Sequence, residues 1–137
     1  MHWLLIMFLA FDLAAVKSEP NLERRSERAL DNANVALDSA REAYNSADLA
    51  KTQAALEEAG ESVDLSYQSL EETGKDARRS PKAFKRAELR TRELLRRLEG
   101  MRESFSVADR AVVEKVRDRV AEVHDDLLKG IMGKKRK

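Results

Sequence analysis

The sequence predicts an all-α protein, an antiparallel up-down-up-down four-helix bundle with long matched helices. Two observations lead to this fold class. The chain has 137 residues with only 5 glycines and 2 prolines, and it is rich in residues that favour helices. Its apolar residues also recur at alternating steps of three and four, which places them on one stripe of a helix. Four such stripes of similar length, joined by short turns, can be buried only if the helices pack against one another.

Each stripe is defined by its own run of apolar and small residues, and polar turn signals fall between the runs at residues 45–48, 73–74, 80–81 and 106–109. Among these signals, Ser80 is predicted to cap the third helix and Ser106 the fourth. The many alanines and threonines favour a close approach of the helices. In chain order the runs are Leu30, Ala33, Leu37, Ala40 and Tyr44; Leu49, Thr52, Leu56, Ala59, Val63, Tyr67 and Leu70; Phe84, Ala87, Thr91, Leu94, Leu98, Met101 and Phe105; and Val113, Val116, Val120, Val123 and Leu127, with Ile131 one turn on.

The front of the chain predicts a signal peptide at residues 1–18, followed by the bundle at 19–133 and a basic tail at 134–137. Residues 3–11 form an unbroken apolar run that is too short to span a membrane, and small residues suited to cleavage follow at Ala14, Ala15 and Ser18. The missing basic leader and the interruption by Asp12 favour the alternatives, a first helix that packs its apolar side or a misassigned start. Cleavage would place the mature chain in a periplasm or outside the cell.

Charge is divided unevenly along the chain, although the net charge is only +1. Residues 19–73 carry 5 basic and 13 acidic side chains, whereas residues 75–102 carry 11 basic and 4 acidic ones. One interpretation is structural, because complementary flanking charges fix how helices pair. The other is a cationic surface for an acidic protein, an anionic lipid or a polyanion. The candidate residues for that surface are Arg86, Arg90, Arg92, Arg96, Arg97, Lys134, Lys135, Arg136 and Lys137.

Few side chains in the sequence are suited to catalysis or to metal binding. There is no cysteine, and His124 is the one histidine after residue 18. A di-iron site needs two Glu-x-x-His pairs, and Ala121 stands where the glutamate would be. No glycine-rich phosphate loop or Gly-x-Ser-x-Gly elbow is present. We therefore predict no catalytic, cofactor or metal site and no enzyme activity. Nucleic acid is not expected either, because no stacking aromatics interleave the basic run.

The predicted topology, length and compartment resemble those of small exported four-helix bundles of the cytochrome b type. In that family a methionine early in the first helix and a histidine late in the fourth hold haem. His124 lies late in the fourth predicted helix, but the first helix, at 20–44, contains no methionine. The resemblance is therefore one of architecture, and it does not imply haem binding here.

These observations predict a non-catalytic exported module that acts through its surface, with the Arg-rich third helix and the basic tail as the contact for an anionic partner. Two alternatives stay open. The small residues of the four apolar stripes could enclose a cavity for a small ligand, which would make the protein a carrier. The helices could also pair between chains, which would make it a structural oligomer instead of a monomer.

Overall fold

The computed structural model describes residues 12–133, and these residues form five α-helices, one short 3-10 turn and no strand. The predicted all-α class with long packed helices is therefore confirmed, and a short fifth helix precedes the four long ones. The elements are α1 (Leu13–Lys17), α2 (Leu22–Asn45), α3 (Leu49–Glu72), α4 (Lys82–Ser104), the 3-10 turn (Val107–Asp109) and α5 (Arg110–Met132). None of the described helices combines the length and the apolar character that a bilayer crossing requires.

The first two long helices begin and end at the predicted turn signals. Asn21 caps α2 by accepting a hydrogen bond from the backbone N–H of Arg24 at 2.9 Å. Asp48 caps α3 in the same way, accepting from Lys51 at 3.1 Å. Shortly after α3 ends, Gly74 adopts a φ of 71°, the left-handed conformation that glycine tolerates best.

The starts of α4 and α5 differ from the prediction. Ser80 was expected to cap the third long helix, but α4 begins after Pro81 and no side chain caps it. Ser106 was expected to cap the fourth, but the 3-10 turn intervenes there. The hydroxyls of Tyr44 and Ser106 both donate to the carboxylate of Asp109, at 2.8 and 2.9 Å, so this turn is tied to the end of α2.

The predicted stripes form the core with few exceptions. Most members of all four runs are buried and belong to one apolar cluster that joins α2, α3, α4 and α5. Tyr44, Tyr67 and Ile131 are partly buried against the cluster. Leu49 is wrong as a seam residue, because it is 53% exposed at the first turn of α3. The small residues of α2 and α3 face each other, and these two helices contact each other more extensively than any other pair.

Each long helix has two main neighbours. Helix α2 packs against α3 and α4, and α5 packs against the same two helices. Helices α3 and α4 approach each other only slightly, and no Cα atom of α2 lies within 8 Å of a Cα atom of α5. The outer surfaces of α3 and α4 therefore lie on opposite sides of the packed helices.

Helix α1 lies on the outside of the α2–α3 pair. Leu13 and Val16 are buried against Ala29 of α2 and Leu65 of α3. The backbone N–H of Asp12 donates to the side-chain carbonyl of Asn32 at 2.9 Å. Signal-peptide cleavage after Ala15 would fall within α1, and cleavage after Ser18 would fall just beyond its end. The apolar run at 3–11 and the basic tail at 134–137 lie outside the described residues.

Candidate functional site

Three of the predicted arginines bind carboxylates of α2. The arginines and their partners repeat with identical steps of four and seven residues, so α2 and α4 run in the same direction and in register. We call this set the inner ladder: Arg86 with Glu27, Arg90 with Asp31 at 2.7 Å, and Arg97 with Asp38 at 2.8 Å.

The inner ladder lies at the surface, and its contribution to the free energy of folding is correspondingly small. The side chains of Asp31 and Asp38 are 67% and 62% exposed. Exposed ion pairs contribute about 0.2–1 kcal/mol each, because water screens them and ordering long side chains costs entropy. Arg97 makes a further hydrogen bond to the side-chain oxygen of Asn34 at 3.0 Å. These contacts agree with the structural interpretation of the charge division, in which α2 and α4 select each other.

The other two predicted arginines of α4 point away from α2. Arg92 donates to the carboxylate of Glu88 on its own helix, and about half of its side chain stays in water. Arg96 is exposed and forms no ion pair with any residue from 12 to 133. The other four candidate residues lie outside the described range: Lys134, Lys135, Arg136 and Lys137.

The outward side chains of α4 form a continuous row. They follow steps of three, four, three and four residues, so they stack along one face of the helix. All five are exposed, and Leu89 at the centre is 52% exposed. We call this row the outer stripe: Lys82, Lys85, Leu89, Arg92 and Arg96.

The sequence did not single out Lys82 and Lys85, although both lie on the outer stripe. Neither forms an ion pair within the described part of the chain, and no α2 carboxylate reaches them. The third apolar run could have identified these lysines. Phe84 and Ala87 mark the buried face of the helix, and the lysines lie with Leu89 on the opposite face. Counting basic residues along the chain cannot separate the inner ladder from the outer stripe.

A buried carboxylate links α4 to α5. Glu88 is only 6% exposed, and its Oε2 lies 2.7 Å from Nε2 of His124. Arg92 donates to both carboxylate oxygens, at 2.9 and 2.7 Å. Burial by itself would raise the pKa of Glu88, but the hydrogen bonds and charges of His124 and Arg92 outweigh burial and hold the pKa below its ordinary value. This arrangement holds two helices together and leaves the carboxylate no free oxygen.

A cleft of about 830 Å³ opens at the end of the long helices, between the α3–α4 connection and the last turns of α5. Its wall includes Tyr67, Glu71 and Asp126 together with the cationic Arg78 and Lys129. Burial, followed by the charges of Glu71 and Asp126, raises the pKa of Tyr67 to about 12. The cleft lies at the end of the helices, whereas the carrier alternative places a cavity in the core. Between α2 and α4, a crevice that reaches Leu30 and Ala87 below the inner ladder has a free volume of only about 10 Å³, less than a single water fills comfortably.

The geometry offers no metal centre within residues 12–133, because no three histidine, aspartate or glutamate side chains converge there. No protein-family model matches the chain, and neither the curated proteins nor the solved structures contain a significant match.

Proposed function

We propose that this protein is a non-catalytic, exported helical-bundle module that binds an anionic partner through the outer stripe of α4. One observation carries the proposal. The carboxylates of α2 occupy the inner arginines, whereas five outward side chains of α4 are exposed in one row. Four of the five are cationic, and Leu89 adds an apolar contact at the centre of the row.

The proposal includes the finer architecture, an up-down-up-down four-helix bundle of α2, α3, α4 and α5. The in-register inner ladder supports it, because the first and third helices of such a bundle run in the same direction. A bundle would hold the outer stripe straight from Lys82 to Arg96, a rise of about 21 Å at 1.5 Å per residue. The partner therefore meets a rigid row instead of a flexible basic segment.

We favour an acidic polypeptide as the partner over an anionic lipid or a polyanionic saccharide. Carboxylates on a partner helix repeat at the same three- and four-residue steps as the outer stripe, so several ion pairs form together. A lipid surface would be expected to take up more than one exposed apolar side chain on the docking face, and the outer stripe has only Leu89. Arginine and lysine both suit carboxylates. Arg96 can bind a carboxylate with two hydrogen bonds, whereas Arg92 already donates to Glu88 and adds its remaining N–H groups.

Binding to polyglutamate at low salt tests this function. The variant K85E/R96E is expected to weaken binding by about tenfold or more, since each reversal replaces attraction with repulsion in the docking row. The matched control is K51E/K115E, which changes the charge equally at two exposed lysines outside α4. Equal loss in both variants would mean that only net charge matters, and the proposal would fail. Vesicles containing phosphatidylglycerol serve as the second probe, and tighter binding to them than to polyglutamate would overturn our choice of partner.

The export part of the proposal rests on residues 1–18. Sequencing the N-terminus of the protein recovered from the native host tests it. We expect a mature chain that begins at Val16 or Glu19, found outside the cytoplasm. Recovery of a chain that retains Leu13 would contradict cleavage and would favour a permanent α1 on the α2–α3 pair.

The end cleft favours a second candidate function, that of a small-ligand carrier. Its volume of about 830 Å³ falls within the range of ligand pockets, and charged groups of both signs line it. Ligand-detected NMR with a collection of small zwitterions tests this candidate. A genuine site predicts that D126N weakens binding, whereas E122Q, at an exposed position one turn away on α5, leaves it unchanged.

A further inference from the structure

Helix α3 carries an acidic counterpart to the outer stripe. Glu57, Glu61 and Glu71 are exposed on its outward face, and none of them forms an ion pair within residues 12–133. Gln68 is exposed on the same face, and Asp64, which binds Arg119 at 2.6 Å, lies between them. We call these five residues the acidic row.

The acidic row and the outer stripe have the same spacing. Read forward from residue 57, the acidic row advances by four, three, four and three residues. Read backward from residue 96, the outer stripe advances by the same steps. Two antiparallel helices in this register would bring together three oppositely charged pairs: Glu57 with Arg96, Glu61 with Arg92, and Glu71 with Lys82.

Within one chain these two rows cannot meet. Helices α3 and α4 approach each other only slightly, through their inner sides, and their outward faces lie on opposite sides of the packed helices. For the same reason, two copies cannot satisfy both rows at once in a closed symmetric pair. Contact between the acidic row of one copy and the outer stripe of the next is head-to-tail and leaves a free row at each end.

We propose that the anionic partner of the outer stripe is the acidic row of a second copy of this chain, so that copies associate head-to-tail. This inference rests on the proposed function, because it names the partner of the same surface. The association is weak and strongly salt-dependent, since exposed charges hold it together and salt screens them. The fraction of associated copies rises with protein concentration by mass action. The size of the assemblies also rises, because each added copy presents a new free row.

Sedimentation velocity of the folded chain tests the inference with neutral variants. At about 20 mM salt the sedimentation coefficient of the unaltered chain is expected to rise with concentration, and at about 0.5 M salt, where the screening length is only a few ångströms, it stays at the monomer value. The variant K82Q/K85Q/R96Q lacks the outer stripe, and E57Q/E61Q/E71Q lacks the acidic row. Each alone is expected to remain monomeric. An equimolar mixture has one intact row of each kind and is expected to form pairs and nothing larger.

The outcomes separate this inference from the proposed function. Pairs in the mixture, with monomers in each variant alone, support head-to-tail association. A mixture that stays monomeric, or a variant that associates as strongly as the unaltered chain, overturns it. Polyglutamate binding is measured on the same samples. If the unaltered chain and E57Q/E61Q/E71Q bind polyglutamate equally while no sample associates, the inference is wrong and the proposed function stands.

Discussion

Nε2 of His124 lies 2.7 Å from Oε2 of Glu88, and this contact joins α5 to α4 through a carboxylate that is almost fully buried. We expect Glu88→Ala to lower the free energy of unfolding by about 1–3 kcal/mol, because it removes the hydrogen bonds of His124 and Arg92 and leaves a gap. Urea denaturation measures the change. Glu93→Ala is the matched control on the exposed face of α4 and should stay within about 0.5 kcal/mol of the unaltered chain. An equal effect of both substitutions would contradict a structural role for Glu88.

The lowered pKa of Glu88 predicts a loss of stability in acid. In the folded chain Glu88 holds its proton less tightly than in the unfolded chain, so acidification favours unfolding. The contribution is complete above the unfolded pKa of about 4.3 and disappears as the pH falls through the lower folded value. The stability difference between the unaltered chain and Glu88→Gln should therefore narrow below about pH 4. A difference that stays constant from neutral pH into this range would show that the proton affinity of Glu88 does not change on folding.

The sequence predicted the core well because the core depends on periodicity. Steps of three and four residues identify one helical face, and the predicted faces are buried, from Leu30 in α2 to Leu127 in α5. Leu49 was misplaced because it stands in the first turn of α3, where it borders an open crevice beside Phe105 and Val112 and stays 53% exposed. Helix α1 was left out of the predicted bundle because residues 1–18 have the composition of a signal peptide, and Leu13 and Val16 extend its apolar run.

The candidate site was only partly predictable. The sequence placed the cationic surface on α4, but Arg90 and Arg97 bind α2, and this depends on the direction and register of two helices distant in sequence. The burial of Glu88 could not be predicted for a similar reason, since a glutamate beside an apolar stripe is usually exposed. Its burial depends on His124, 36 residues further along the chain.

Ser69 offers a route to a more stable chain. It is fully buried in α3, and its hydroxyl has no hydrogen-bond partner among the described residues. Ser69→Ala is expected to raise the free energy of unfolding by about 0.5–1.5 kcal/mol, because an unpaired buried hydroxyl destabilises the folded state. Ser66, one turn earlier, shares a 2.7 Å hydrogen bond with Ser26. Ser66→Ala should therefore lower the free energy of unfolding by about 1 kcal/mol. Thermal denaturation compares the two variants, and melting temperatures that shift in the same direction would contradict the prediction.

The turn between α2 and α3 contains a strained residue. Ala47 has a φ of 61°, a left-handed conformation that costs a residue with a Cβ about 1–2 kcal/mol. Ala47→Gly removes this cost and adds about 0.5–1 kcal/mol of unfolded-state entropy, so a net gain of about 0.5–1 kcal/mol is expected. Ala54→Gly, at an exposed position within α3, should instead lose about 1 kcal/mol. If chemical denaturation shows Ala47→Gly to be as destabilising as Ala54→Gly, the turn is not strained in solution.

We propose the outer stripe, and not the inner ladder, as the docking surface of α4. Polyglutamate affinity at low salt distinguishes the two surfaces when K85E/R96E is compared with R90E/R97E, because both variants change the charge of the same helix equally. We predict that K85E/R96E loses about tenfold or more in affinity, whereas R90E/R97E loses stability but stays within about threefold in affinity. The reverse order, with the larger loss of affinity in R90E/R97E, would contradict the account.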